Sequence, residues 1–178
     1  MAIDLEPVMM RWLTLWGERA SKPRATAPQK KRGTRQQAMY DQLVVEMKET
    51  YQIRVRKWRG STSGCAWEVR GHDGSVTRLI ESPYPRGPVS CVIFLHEVGH
   101  HAIGLGCVRL RCLEEHLAWA WALEQMRRRG LRITDRVRAR HDDAMRYAVA
   151  KALRRGLRRV PPELASWLPS NQPAKVSG

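Results

Sequence analysis

No run of eighteen apolar residues passes through this 178-residue chain, which argues against a membrane-spanning helix. Residues 89–106 come closest, but His96, Glu97, His100 and His101 interrupt them. The first residues carry Asp4 and Glu6 and lack a basic segment followed by an apolar one, so no signal peptide is expected. None of the four cysteines, Cys65, Cys91, Cys107 and Cys112, forms a CxxC pair, which argues against a zinc ribbon and for reduced core thiols. There is no phosphate-binding glycine loop, no nucleophilic serine motif and no internal repeat. These absences together predict a cytoplasmic protein.

Acidic residues are also scarce. Seventeen Asp and Glu face 32 Lys and Arg, for a formal charge of +15 and a pI near 10.7. Such an imbalance points to an anionic partner, with nucleic acid the leading candidate; a merely solubilising surface is the alternative. The basic side chains concentrate in two places. One is residues 21–35, with Lys22, Arg24, Lys30, Lys31, Arg32 and Arg35 and no acidic residue. The other is the region from Arg127 to Arg159.

Against this background stands His96-Glu97-Val98-Gly99-His100, an HExxH pentapeptide. Residues four apart lie about 40° apart around an α-helix, so His96 and His100 can direct their imidazoles at one ion. Glu97 is placed to hold and deprotonate a water on a zinc ion, whose Lewis acidity lowers that water's pKa to about 7. The preceding run, Val89 to Leu95, is almost wholly apolar, so the motif is expected on a buried helix. Two imidazoles and a carboxylate buried without partners would cost several kcal/mol, about 2–7 for each uncompensated polar group; a metal removes most of that cost.

A catalytic zinc needs a third protein ligand. Glu114, Glu115 and His116 are the candidates, at the start of a second helix rich in Ala, Leu and Trp. Glu115 shares a face with Ala118 and Ala122, where small side chains would allow a close helix approach. One of the two glutamates would instead favour the helix N-terminus through its dipole. Gly99, between the two histidines, also suggests close packing against another backbone.

HExGH, a short connection and then Glu115, Ala118, Trp121 and Ala122 in the pattern E-x-x-A-x-x-aromatic-A resemble the ImmA/IrrE-like zincin metallopeptidases. The resemblance covers roughly Met39 to Gln125, and Trp121 stands where Phe is usual. It implies that His96, His100 and Glu115 hold Zn2+ and that Glu97 is the general base. It also implies cleavage of one intracellular protein, a repressor, stress regulator or DNA-associated protein, in the setting of a phage, plasmid or other mobile element. SprT-like proteases are a competing resemblance. They act on DNA-associated proteins and use a third histidine, which His116 would supply. The reading from a different class is a nucleic-acid-binding protein that keeps the fold for recognition.

The organisation expected is an amphipathic helix within residues 1–20, a basic linker at 21–35, a zincin-like domain at 36–168 and a disordered tail at 169–178. The domain is read as α+β: a helix at 36–50, strands at 51–59, 66–70 and 75–80, the metal helix at 89–103, the second ligand helix, and a further C-terminal helix capped by Thr134 and ending near Arg155. The strands are expected to form a three-stranded antiparallel sheet turned at Gly71-His72-Asp73-Gly74. By family analogy its third strand, Ser75 to Glu81, would be the edge that receives substrate backbone. His101 is expected in packing or behind the ligands, His72 in solvent, and Trp58 and Trp67 in the core. His141 or Tyr147 is the candidate for stabilising an oxyanion.

Overall fold

The computed structural model describes residues 35–169. The helix expected within residues 1–20, the linker up to residue 34 and the tail beyond Pro169 lie outside the described residues. The described part is α+β. Helix α1 (Arg35–Thr50) precedes strands β1 (Ile53–Arg59), β2 (Cys65–Arg70) and β3 (Val76–Pro83). Helices α2 (Pro88–Ile103), α3 (Arg111–Arg128) and α4 (Asp135–Arg154) follow, and a short 3-10 turn, Pro162–Trp167, ends the order. No described helix is long and apolar enough to cross a membrane.

The sheet corrects the expected meander. Its order is β1-β3-β2. β2 and β3 pair antiparallel, Ala66 opposite Ile80 and Glu68 opposite Arg78, whereas β1 and β3 run parallel, Val55 opposite Ile80. The sheet is therefore mixed, and β3 is its centre rather than an edge. The physical reason lies in burial: Ile80, Glu81, Ser82 and Pro83 are all buried, and a strand covered on both sides is stable only when both its backbone edges are also paired. β1 exposes Arg54, Arg56 and Lys57, as an edge strand can. The hairpin between β2 and β3 closes as its sequence requires. Gly74 takes φ +82°, and Asp73 accepts a 2.9 Å hydrogen bond from the Ser75 amide. The five residues 60–64 then carry the chain from β1, on one side of β3, to β2 on the other.

Helix α2 is the centre of the core. Cys91 through His101 are all buried, so this helix lacks a solvent face and packs on every side. Pro88 starts it at the first helical position, and the Ser90 hydroxyl accepts from the Arg86 and Gly87 amides at 2.9 and 3.1 Å. Gly104, at φ +88°, ends it. Tyr40, Leu43, Val44 and Met47 of α1, Ile53 and Ile80 of the sheet, Trp119, Ala122 and Met126 of α3, and Val137, Met145 and Val149 of α4 complete the core. Thr134 caps α4, its hydroxyl accepting from the Val137 amide at 3.4 Å. Cys91 and Cys112 are buried thiols, but Cys107 is exposed, so it is not the core thiol expected.

Candidate metal centre

Three side chains converge where α2 crosses α3. His96 Nε2 lies 3.2 Å from one carboxylate oxygen of Glu115, and His100 Nε2 lies 3.7 Å from the other. One ligand-capable atom from each of His96, His100 and Glu115 falls within 4.8 Å of the other two. A tetrahedral zinc with bonds near 2.05 Å separates its ligands by about 3.3 Å, so these His–Glu spacings and this N,N,O donor set fit such an ion. The helix crossing makes the approach. A Cβ at Gly99 would stand 2.8 Å from the Ala118 carbonyl oxygen and 3.2 Å from the Trp121 ring, so only glycine admits α3 this close. Ala118 and Ala122, both fully buried, are the small residues on the facing side.

The alternatives for the third position have other surroundings. Glu114 is 2% exposed. Its Oε1 accepts from His100 Nδ1 at 3.2 Å and from Arg111 at 2.5 Å. Arg111 also reaches Glu115 at 3.1 Å. His116 packs on Trp167, ring centroids 5.5 Å apart, and does not join the cluster. His101 turns to the sheet, with Nε2 3.1 Å from the Leu79 carbonyl oxygen. Its Nε2 is the donor there, because a carbonyl can only accept.

Electrostatics separate the two imidazoles. Burial, with the neighbouring His100 and Arg140 charges, pushes His96 down to about 4 despite its bond to Glu115. Burial also opposes a charge on His100, but two carboxylates, Glu114 and Glu115, outweigh it and raise His100 to about 9. Burial opposes charge on Glu115 as well, yet its bonds to His100 and His96 hold it well below the usual carboxylate range. Glu97 is 4% exposed, and burial raises it to about 7, near the pH at which a general base exchanges protons most effectively. The last residue of the connection before β2 covers it. A Cβ at Gly64 would stand 2.4 Å from Glu97 Oε1 and 2.6 Å from its Cγ.

The remaining expected residues are more distant from the chemistry. His141 is wedged between Trp119 and Trp167, centroids at 5.5 and 5.4 Å, and Tyr147 is 57% exposed. Neither has a hydrogen bond or ring contact with His96, Glu97, His100 or Glu115 among the described residues. His72 is exposed in its turn. Trp58 is 38% exposed, packed edge-on against Tyr84 at 4.8 Å rather than in the core.

Four neighbours were not singled out from sequence. Trp119 stacks on the His96 ring at 4.5 Å and 25°. Arg140 lies 5.9 Å from the Trp119 ring and donates to the Thr62 carbonyl at 3.3 Å, tying α4 to the connection over Glu97. Gly64 admits the Glu97 carboxylate. Arg111 bridges the two glutamates; its position three and four residues before Glu114 and Glu115 is the one helical signal that sequence offered. No protein-family model matches the chain, and no curated protein or solved structure matches it.

Proposed function

We propose that the protein is a zinc-dependent endopeptidase, with His96, His100 and Glu115 as the metal ligands and Glu97 as the general base. The observation that carries this reading is the convergence of those three donor groups within 4.8 Å beside the buried Glu97 carboxylate. A purely structural metal site would have no use for Glu97 there.

When bound, zinc would polarise a water and the scissile carbonyl as a Lewis acid. Glu97 takes a proton from the attacking water on its carboxylate and passes it to the leaving amide nitrogen. Glu114 accepts from His100 Nδ1, which leaves Nε2 with its lone pair toward the metal position. Arg111 holds Glu114 and Glu115 together. β2 is an edge strand, and the residue before it lies over Glu97, so it replaces β3 as the strand to which a substrate backbone would add.

The substrate proposed is a single intracellular protein, a regulator or DNA-associated protein, as resemblance to the ImmA/IrrE-like group implies. The placement of Glu115 rather than His116 beside the histidines favours that resemblance over the SprT-like one. Zinc analysis of the purified protein together with Glu97→Gln tests the reading. The variant should keep zinc and lose its biological effect, and a proteomic comparison of cells expressing the two forms should reveal the target as an intact protein in the variant. Zinc retained with the full effect would sink the protease assignment.

A further inference from the structure

The arginines of this protein fall into two populations. Those of the sheet and α3 largely face carboxylates: Arg56 and Arg59 meet Glu81 at 2.9 Å each, Arg78 and Arg70 meet Glu68 at 3.4 and 3.7 Å, and Arg127 and Arg128 meet Glu124 at 3.3 and 2.9 Å. On α4 and the turn after it the balance changes. Residues 135–159 hold eight arginines and Lys151 against three aspartates. The one arginine–carboxylate pair there, among the described residues, is Arg138 with Asp135, at 3.9 Å. Among the described residues, Arg136, Arg146, Arg154, Arg155, Arg158 and Arg159 have no carboxylate partner.

Helical geometry gathers part of this set on one face. Val137, Met145 and Val149 point into the core. On the opposite side Arg136, Asp143, Tyr147 and Arg154 fall within about 20° of one line, three of the four basic or aromatic, and Arg136 to Arg154 spans about 27 Å. Arg146 flanks the line, and all five side chains are exposed. Tyr147 is a large aromatic ring left 57% exposed in the middle of this charge, with the Lys151 ammonium 5.8 Å from its centroid. The negative end of the helix dipole accounts for Arg154 and Arg155 but acts only over the last turn; Asp142 and Asp143 lie four and three residues before Arg146, yet among the described residues neither pairs with it. Arg136, Arg146 and Arg154 are spaced about 12–15 Å apart along the helix, so each exposed guanidinium is open to a separate phosphate of an external polyanion.

We propose that the solvent face of α4, centred on Arg136, Arg146, Tyr147 and Arg154, binds the sugar–phosphate backbone of a nucleic acid. A duplex carries one negative charge per about 1.7 Å of axis, which supplies counter-charges along the whole row. Arginine's planar fork matches phosphate oxygens, and the Tyr147 ring offers a surface on which an unpaired base can stack. An acidic polypeptide would satisfy the charges but has no need of the ring. Arg140, on the same helix, donates to the Thr62 carbonyl in the connection between β1 and β2. The interface itself does not depend on the peptidase reading.

The test is fluorescence anisotropy of the full chain with a labelled DNA duplex of random sequence, titrated at several salt concentrations between about 50 and about 200 mM. The triple substitution Arg136→Gln, Arg146→Gln, Arg154→Gln should weaken binding by about tenfold or more and flatten the slope of log K against log salt by about 2.7, near 0.9 for each phosphate no longer neutralised. The corresponding triple lysine substitution should restore most of both, and the three positions are exposed, so circular dichroism and Tm should match the wild type. Tyr147→Ala should weaken a single-stranded probe more than the duplex. No binding by the wild type at low salt, or a triple Gln variant equal to the wild type in affinity and slope, would overturn the proposal. So would polyglutamate competing as well as DNA at equal charge, which would assign the face to an acidic protein instead. None of these outcomes bears on zinc content or on Glu97→Gln, so the peptidase reading stands or falls separately.

Discussion

Glu114 and His100 meet inside the protein, carboxylate oxygen to Nδ1 at 3.2 Å, each 2% exposed at its side chain. With both Arg111 and His100 donating to it, Glu114 stays below the usual carboxylate range although burial opposes its charge. A carboxylate on the far nitrogen of a ligating histidine fixes the ring and its tautomer. Glu114→Gln should therefore lower zinc affinity by about 10- to 100-fold, and Glu114→Asp should recover part of it. A competing chelator gives the affinity, and the visible spectrum of the cobalt-substituted protein reports the coordination directly. Unchanged affinity and spectrum in Glu114→Gln would remove Glu114 from any role at the metal.

Metal loading should depend on pH with a definite sign. In the ion-free protein His100, at about 9, is protonated through the neutral range, while His96, at about 4, is already neutral. A metal must therefore displace the His100 proton. Apparent zinc affinity should rise about tenfold per pH unit as pH climbs toward about 9, and fall correspondingly as pH is lowered. Zinc titrations in buffers of different ionisation enthalpy should show proton release at neutral pH, with about one proton from His100 and a further fraction from Glu97. Affinity that is flat across this range would contradict the assignment.

Gly99→Ala inserts a methyl group 2.8 Å from the Ala118 carbonyl oxygen, which is backbone and cannot swing aside. Alanine's helix propensity would return about 1 kcal/mol, but forcing the helices apart costs about 1–3 kcal/mol. A lower Tm together with weaker zinc binding is expected, because the same crossing brings Glu115 to the histidines. A Tm equal to or above that of the wild type would show that α2 and α3 tolerate separation.

Gly64→Ala acts on the base alone. The new methyl group would overlap Glu97, 2.4 Å from Oε1, and displace its carboxylate without touching a ligand. Zinc content should match the wild type, while cleavage of the target identified with Glu97→Gln should fall about 100-fold, the usual effect of misplacing a reacting group by an ångström. Loss of zinc in this variant would mean that Gly64 serves folding instead.

Much of the local structure was legible because it depends on neighbours in the chain. The apolar spacing of Leu43, Val44 and Met47, the Thr134 cap and the stop at Gly104 each follow from contacts within a few residues. The sheet order was not legible. Consecutive strands with a strong turn between the second and third suggest a meander, and only the burial of Ile80 to Pro83 on several elements at once makes β3 the centre. Cys107 likewise has nothing in its immediate sequence to distinguish it from the buried Cys112. Trp119 and Arg140 reach the metal centre from α3 and α4, and no spacing rule connects either of them to residue 96.

By itself the sequence determined that His96 and His100 share one helix face with Glu97 beside them, since four residues make little more than one turn. It also determined the excess of positive charge and its concentration after Arg127. Only the tertiary structure decided that Glu115 stands beside both imidazoles, Glu114 behind one of them and His116 against Trp167 instead. Successive helical residues point about 100° apart, so a difference of one position is resolved by how α3 lies on α2. That contact rests on Gly99 and Ala118, residues that are distant in sequence and carry almost no side chain.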